Sequence, residues 1–324
     1  MSHAIVFRKY GGAEVLEWER EDPPDPAAAE VQLRHTAVGV NFVDIYDRSG
    51  LYPQTLPCIP GREAAGVVEA VGRQVRGIKP GDRVAYVHDA PGAYAQRRNI
   101  PAAKLVKLPR DINDEQAAAL MLKGLTAQYL LRRTYRVKAG DWLLVHAAVG
   151  GVGSLLCQWA RALGARVIGV VGHEDKAPAA RRHGCREVLI AGRDELAAGV
   201  RTFTRGKMVE AVYDAVGKDT FFESLDCLRP RGIMVSYGNA SGPPPAVAPL
   251  ELVKRGSLYL TRPSLFHYIA TRAELDAAAR ELFRMVRAKK IKVQIGQRYR
   301  LVEAAQAHRD LELRRTLGST VLLP

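Results

Sequence analysis

The stretch HAAVGGVGSLLCQWARALGA, His146 to Ala165, sets a glycine-rich turn between an apolar run, LLVHA, and a long series of helix formers. In the order G-x-G-x-x-G its three positions read Ala148, Gly150 and Gly153, so the first glycine is an alanine. The chemistry of such a loop is anion binding. Backbone N–H groups at a helix start face a pyrophosphate, the second glycine lets the backbone approach it, and the third lets the helix pack on its strand. Ala148 fits this turn if its φ is below zero. The next strand, RVIGVVG, bears on cofactor choice, because an acidic side chain at its end would take the ribose hydroxyls. That position falls at Val171 and Gly172, and Lys176 follows. NADP is therefore the expectation, with Glu174 and Asp175 as acidic neighbours within reach of a ribose.

Other chemistries lack their residues. The four cysteines, Cys58, Cys157, Cys185 and Cys227, lie far apart, with no C-x-x-C and no histidine at ligand spacing, which argues against a disulfide framework and a structural zinc. A reducing, cytoplasmic home fits that usage. The N-terminus MSHAIVFRKYGG has no long apolar region, and no run approaches the ~18 apolar residues of a membrane span. A formal net charge of +14 invites a nucleic-acid reading, but the arginines fall in short clusters (132 to 136, 180 to 182, 314 to 315) without interleaved aromatics. A solvated basic surface accounts for them.

The elements that must carry the loop change character along the 324 residues. Residues 4 to 125 read as short alternating segments (AIVFRKY, VQLRHTAVGVN, GVVEAVG, DRVAYVH) broken by Gly and Pro turns, a β-rich unit. DINDEQAAALMLKGLTAQYLLRRT (111 to 134) then reads as a helix with an acidic first turn. From Asp141 apolar strands alternate with helices, which predicts a parallel sheet covered on both faces, a doubly wound fold. The tail is expected to return to the first unit. The division is thus 1–125 with 262–324, and 126–261.

The landmarks VGVNFVDIYDRSGLYP (38 to 53), PGREAAGVVEAVG (60 to 72), LKGLTAQYLL (122 to 131), HAAVGGVG (146 to 153), YGNASG (237 to 242), SLYLTRPSL (257 to 265) and the closing GSTVLLP run from end to end. Together they make the chain resemble the zinc-free quinone oxidoreductases of the medium-chain dehydrogenase/reductase superfamily, the group that includes ζ-crystallin. The resemblance implies an α/β protein with a β-rich GroES-like catalytic domain (1–125, 262–324) and a Rossmann NADP-binding domain (126–261), which reduces quinones with NADPH and no metal. In the superfamily's zinc enzymes a Cys lies in the segment matching GVNFVD and a His in the one matching Gly61-Arg62-Glu63. This chain has Asn41 and its neighbours, Arg62, and a non-ligand near Lys123.

The resemblance also implies site residues. Asn41 is expected near the nicotinamide or the quinone oxygen, Tyr46 as a hydrogen-bond donor and Tyr52 as a pocket wall. On the cofactor side it implies Thr126 near the nicotinamide, Gly150, Gly151, Val152 and Gly153 at the pyrophosphate, Lys176 at the 2′-phosphate, and Asn239 and Arg314 completing the set. Where relatives often carry a tyrosine beside the 2′-phosphate this chain reads Ala191-Gly192 before Arg193, and the resemblance implies either that Arg193 replaces it as a cation or that the preference for NADP is weaker than in relatives. Two other activities are weighed. Reduction of an enone double bond uses the same hydride geometry with Tyr46 as proton donor; RNA binding, a side activity among ζ-crystallin relatives, is the minor reading. A homodimer joined through GSLYLTRPSL is expected.

Overall fold

The computed structural model describes the whole chain, Met1–Pro324. In chain order its strands are β1 (His3–Val6), β2 (Glu17–Arg20), β3 (Glu30–Val40), β4 (Glu63–Val71), β5 (Arg83–Val87), β6 (Arg97–Pro101), β7 (Leu105–Lys107), β8 (Trp142–Val145), β9 (Arg166–Val171), β10 (Cys185–Ile190), β11 (Val209–Asp214), β12 (Leu228–Ser236), β13 (Tyr259–Thr261), β14 (Ile295–Arg300) and β15 (Ser319–Leu323). They belong to two compact units. One comprises Met1–Leu125, Ile269–Phe283 and Val293–Pro324; the other Thr126–Tyr268 and Arg284–Lys292.

The tail is thus divided. Residues 262–268 and 284–292, expected with the first unit, belong to the second. Side chains explain the division: Tyr268 stacks on Tyr129 with ring centroids 4.4 Å apart, and the Gln158 amide exchanges hydrogen bonds of 2.8 and 3.2 Å with the Lys292 backbone.

The first unit is β-rich. Its large sheet runs β14-β15-β3-β4-β5-β7, with β6 also on β3, and every pairing but β14 with β15 is antiparallel. Alternation along β3 sends Val31 and Leu33 into a core with Ile100, Tyr86 and Leu105. Near the end of β3, Gly39 lies opposite Glu63, and a Cβ there would come within 2.3 Å of the Glu63 carboxylate. Glycine at 39 is what leaves room for the Glu63 side chain over the sheet.

The second unit is a six-stranded, wholly parallel sheet in the order β10-β9-β8-β11-β12-β13. This is the doubly wound arrangement the alternating sequence predicts, with its reversal of strand order between β8 and β11. Leu144, Ile168, Val170, Val212 and Met234 form its core. The segment 111 to 134 is not one helix: Asp114–Ala118 and Met121–Tyr129 are separate helices, followed by a π-turn over Leu130–Thr134. No helix is long and apolar enough to cross a membrane.

Candidate active site and nucleotide loop

In the first unit the chemistry gathers where β3 ends. Asn41 is the N-cap of the helix Phe42–Ser49, and its backbone N–H donates to the Asp44 carboxylate at 2.8 Å. The Asn41 side chain turns elsewhere: Nδ2 donates to Glu63 Oε1 at 2.9 Å. Lys123 Nζ donates to the same oxygen at 2.6 Å, and the Leu122 backbone N–H donates to Oε2 at 2.6 Å. Glu63 is fully buried and Lys123 nearly so, at 4% exposed. The break between the two helices of 111 to 134 has its cause here, because the Glu63 carboxylate seats on the start of the second one, where free N–H groups attract negative charge.

One helical turn on, Asp47 forms a two-pronged ion pair with Arg62, Oδ2 and Oδ1 accepting from Nε and Nη2 at 2.9 and 2.8 Å. Gln54 Nε2 adds a 2.9 Å bond to Oδ1, and Arg62 Nη1 donates to the Asp89 carbonyl. Arg62, at the position where zinc relatives place a histidine, is consumed by this pair. No group of three or more His, Cys, Asp or Glu side chains that could hold a metal ion is assembled.

A third set of contacts has a direction. Arg48, itself buried, donates to His308 Nδ1 at 3.2 Å, so the neutral imidazole carries its proton on Nε2 and donates it to the Tyr94 oxygen at 3.0 Å. Tyr94 in turn donates to Asp44 Oδ2 at 2.9 Å. Burial pushes His308 down to about 3, with the Arg48 charge adding to it. Burial pushes the Asp44 carboxyl up to about 7, the neighbouring Asp47 reinforcing it while the Asn41 N–H, Tyr94 and Arg62 oppose. The far end of Arg48 is anchored to Glu312 at 2.6 Å. The helix bearing Tyr46, with Asn41 as its N-cap, is therefore held at both ends.

Tyr46 is 8% exposed, and its ring packs edge-on against Tyr52 at 5.3 Å and near Phe42 at 6.2 Å. Asn41, Tyr46 and Tyr52 are thus brought together on one short segment. Arg314 is not on it: it is exposed, in the left-handed region at φ 58, in the loop after the helix Ala304–Glu312.

In the second unit the loop after β8 has the form its sequence predicts, with one transfer of strain. Ala148 does not have positive φ; Ala147, before it, does, at 49°. The Ala148 methyl fits because β9 carries Gly169 beside it, where a Cβ would come within 2.9 Å of that methyl. At Gly153 a Cβ would lie 2.2 Å from the Ala147 carbonyl oxygen, so the fold itself demands glycine. At Gly150 it would lie 3.2 Å from the same oxygen, a tight contact that a shift of a few tenths of an ångström relieves, and φ is −73°, which any residue adopts. Gly150 is the N-cap of the helix Gly151–Ala162, and the first intrahelical bond comes from Ser154, leaving the N–H groups of Gly151, Val152 and Gly153 as the helix's anion-facing donors. These residues fit a dinucleotide pyrophosphate.

Lys176, Arg193 and Asn239 follow the carboxyl ends of β9, β10 and β12, the edge of a parallel sheet at which ligands bind. Lys176 closes the turn Glu174–Lys176, and Arg193 Nη1 bonds Glu174 at 2.9 Å, neutralising one of the two acids noted beside it. Asn239 is buried in the loop after β12, which is laced to the loop after β11 by Ser241 N to Val216 O at 2.8 Å and Ala240 N to Ala215 O at 3.1 Å. Thr126 is buried within the helix Met121–Tyr129.

Sequence reasoning passed over Glu63, Lys123, Asp44, Tyr94 and His308. A signal existed for two of them: an ionisable residue inside an apolar run, as in EAAGVV and LMLKGL, is seldom buried without a partner.

Two family models match the chain, an alcohol dehydrogenase GroES-like domain over residues 27–110 and a zinc-binding dehydrogenase domain over residues 151–284. A quinone oxidoreductase of Pseudomonas aeruginosa is 51% identical, with 100% of each chain covered. A 2-haloacrylate reductase of a Burkholderia species is 46% identical over 100% of this chain and 99% of the other. The crystal structure of Escherichia coli quinone oxidoreductase complexed with NADPH is 50% identical and superposes with a TM-score of 0.98, covering 99% of this chain and 100% of that one.

Proposed function

The chain belongs to the quinone oxidoreductases of the medium-chain dehydrogenase/reductase superfamily, and from that premise we propose that it reduces a quinone to the hydroquinone at the expense of NADPH. The observation that carries the reading is the helix start at Gly150, where the N–H groups of Gly151, Val152 and Gly153 are left open to an anion and no side chain stands over them. Bound NADPH supplies a hydride from nicotinamide C4. The protein's own part is to bind, orient and supply a proton to the oxygen on which charge develops.

On this reading Gly150, Gly151, Val152 and Gly153 hold the pyrophosphate, Lys176 and Arg193 recognise the 2′-phosphate, and Thr126, Asn239 and Arg314 complete the cofactor site. Asn41, Tyr46 and Tyr52 form the quinone side. The bond from Asn41 Nδ2 to Glu63 leaves that nitrogen one hydrogen for a ligand. Reduction of an activated carbon–carbon double bond is the second reading, favoured by the likeness to 2-haloacrylate reductase. We also propose a homodimer through the free edge of β13, where Tyr259 is 62% and Leu260 38% exposed. Sedimentation as a monomer at micromolar concentration would refute that assembly.

The test of activity is the initial rate of NADPH and NADH oxidation with 1,4-benzoquinone and with 2-chloroacrylate. Quinone-dependent NADPH oxidation that falls tenfold or more relative to NADH in Lys176→Ala/Arg193→Ala supports both the reaction and the cofactor assignment. Turnover of 2-chloroacrylate alone would establish the second reading instead.

A further inference from the structure

We propose that Lys123 is a catalytic residue, donating a hydrogen bond and then a proton to the substrate oxygen on which negative charge develops as hydride arrives. The inference rests on the quinone-reductase reading. Lys123 is 4% exposed, and of the three N–H donors of its ammonium group one is committed, to Glu63 Oε1 at 2.6 Å. Leaving a buried donor without an acceptor is costly, so an ion pair built only for structure would surround the ammonium with acceptors. Glu63 meanwhile accepts from three donors, Lys123, Asn41 Nδ2 and the Leu122 N–H.

The same oxygen that holds Lys123 holds the Asn41 amide, so the ammonium stands beside the residue placed on the quinone side. Glu63 fixes both without taking part in bond changes, and is a positioning residue. The step balances simply. The quinone accepts a hydride, two electrons with one proton, and becomes the hydroquinone monoanion; a Lys123 N–H bond breaks as the second O–H bond forms, and the amine regains its proton from water. The substrate class follows: a conjugated carbonyl compound whose reduction leaves charge on oxygen.

The experiment compares the parent with Lys123→Met and with Glu63→Gln/Lys123→Met, which removes both buried charges together. The substrates are 1,4-benzoquinone, 2,6-dimethyl-1,4-benzoquinone and tetramethyl-1,4-benzoquinone, whose hydroquinone anions are increasingly basic. NADPH affinity and thermal midpoint are measured alongside. A positioned general acid contributes about 10²–10⁴-fold. The variants should bind NADPH as the parent does, with kcat reduced about 100-fold or more for the tetramethyl quinone and progressively less for the others. A role in structure alone would slow all three quinones equally, and that result, or kcat within twofold of the parent throughout, would overturn the inference. Loss of the fold in both variants would assign Lys123 to the scaffold and overturn it likewise. Absence of quinone turnover by the parent would instead overturn the functional reading beneath it.

Discussion

Gly150→Ala and Gly153→Ala lie three residues apart in one loop and should separate binding from folding. At 153 the new Cβ would meet the Ala147 carbonyl oxygen at 2.2 Å and the Ala147 carbonyl carbon at 2.9 Å, both backbone atoms of a residue already held at φ 49°. Overpacking of this kind costs about 1–3 kcal/mol, against about 1 kcal/mol regained when alanine replaces a helical glycine. A contact of 2.2 Å with a backbone atom puts the cost at the upper end, so the net expectation is a loss of about 2 kcal/mol. At 150 the nearest atom, the Ala147 carbonyl oxygen, is 3.2 Å away, tight but relieved by a small shift, and the backbone, φ −73° and ψ 175°, suits any residue. There the weaker N-cap costs about 0.5–1 kcal/mol and the stiffer unfolded chain returns about 0.4–1 kcal/mol, so with the tight contact added stability should fall by no more than about 1 kcal/mol. NADPH affinity should nevertheless fall at least tenfold, about 1.4 kcal/mol, because the methyl stands between backbone and pyrophosphate. Urea unfolding reads the first quantity and calorimetric titration with NADPH the second. An undiminished affinity in Gly150→Ala, or parental stability in Gly153→Ala, would refute the reasoning about the loop.

Three further outcomes follow from the first unit and the cysteines. The folded chain retains the Asp44 proton at pH 6, where an unfolded chain has lost it, so this group's contribution to stability declines as pH rises from about 4 to about 7, by about 1.4 kcal/mol per pH unit. Asp44→Asn should remove that term. The difference in unfolding free energy between parent and variant should change with that slope, the opposite terms from His35 and His308 cancelling in the comparison; a difference independent of pH would contradict it. Arg62→Met leaves Asp47 buried without its partner and should cost about 3–5 kcal/mol in urea unfolding at neutral pH, whereas a loss below 1 kcal/mol would show that the pair is not sealed from water. All four cysteines are buried, and burial pushes Cys58 up to about 11 and Cys227 up to about 12. At pH 8 the native protein should not react with a thiol reagent that titrates all four in denaturant, and rapid native-state labelling would disprove the burial.

Much of the second unit was legible because its signals are local. A glycine whose neighbour is a carbonyl six residues back, an apolar strand of four to six residues and a helix start all declare themselves within a short window, as in LLVHAAVGGVG. What the window could not show is that strain would settle on Ala147 instead of Ala148, because the space for the Ala148 methyl is provided by Gly169 on a neighbouring strand. Glu174, read as a ribose acceptor in waiting, has Arg193 as its partner across a gap of nineteen residues, and only folding brings the two within 2.9 Å.

The sequence by itself determined the β-rich and βαβ halves and the form of the glycine-rich turn between β8 and its helix, since each depends on residue types spaced along one stretch of chain. The tertiary structure alone decided the helix break after Ala118 and the triad of Glu63, Asn41 and Lys123, in which partners 22 and 60 residues from Glu63 meet on one buried carboxylate. It alone also decided the line from Arg48 through His308 and Tyr94 to Asp44, spanning 260 and 214 residues in two of its links. The physical reason is the same for both. Buried polar groups must find partners wherever the fold supplies them, and hydrogen-bond satisfaction, unlike hydrophobic periodicity, leaves no regular mark along the chain.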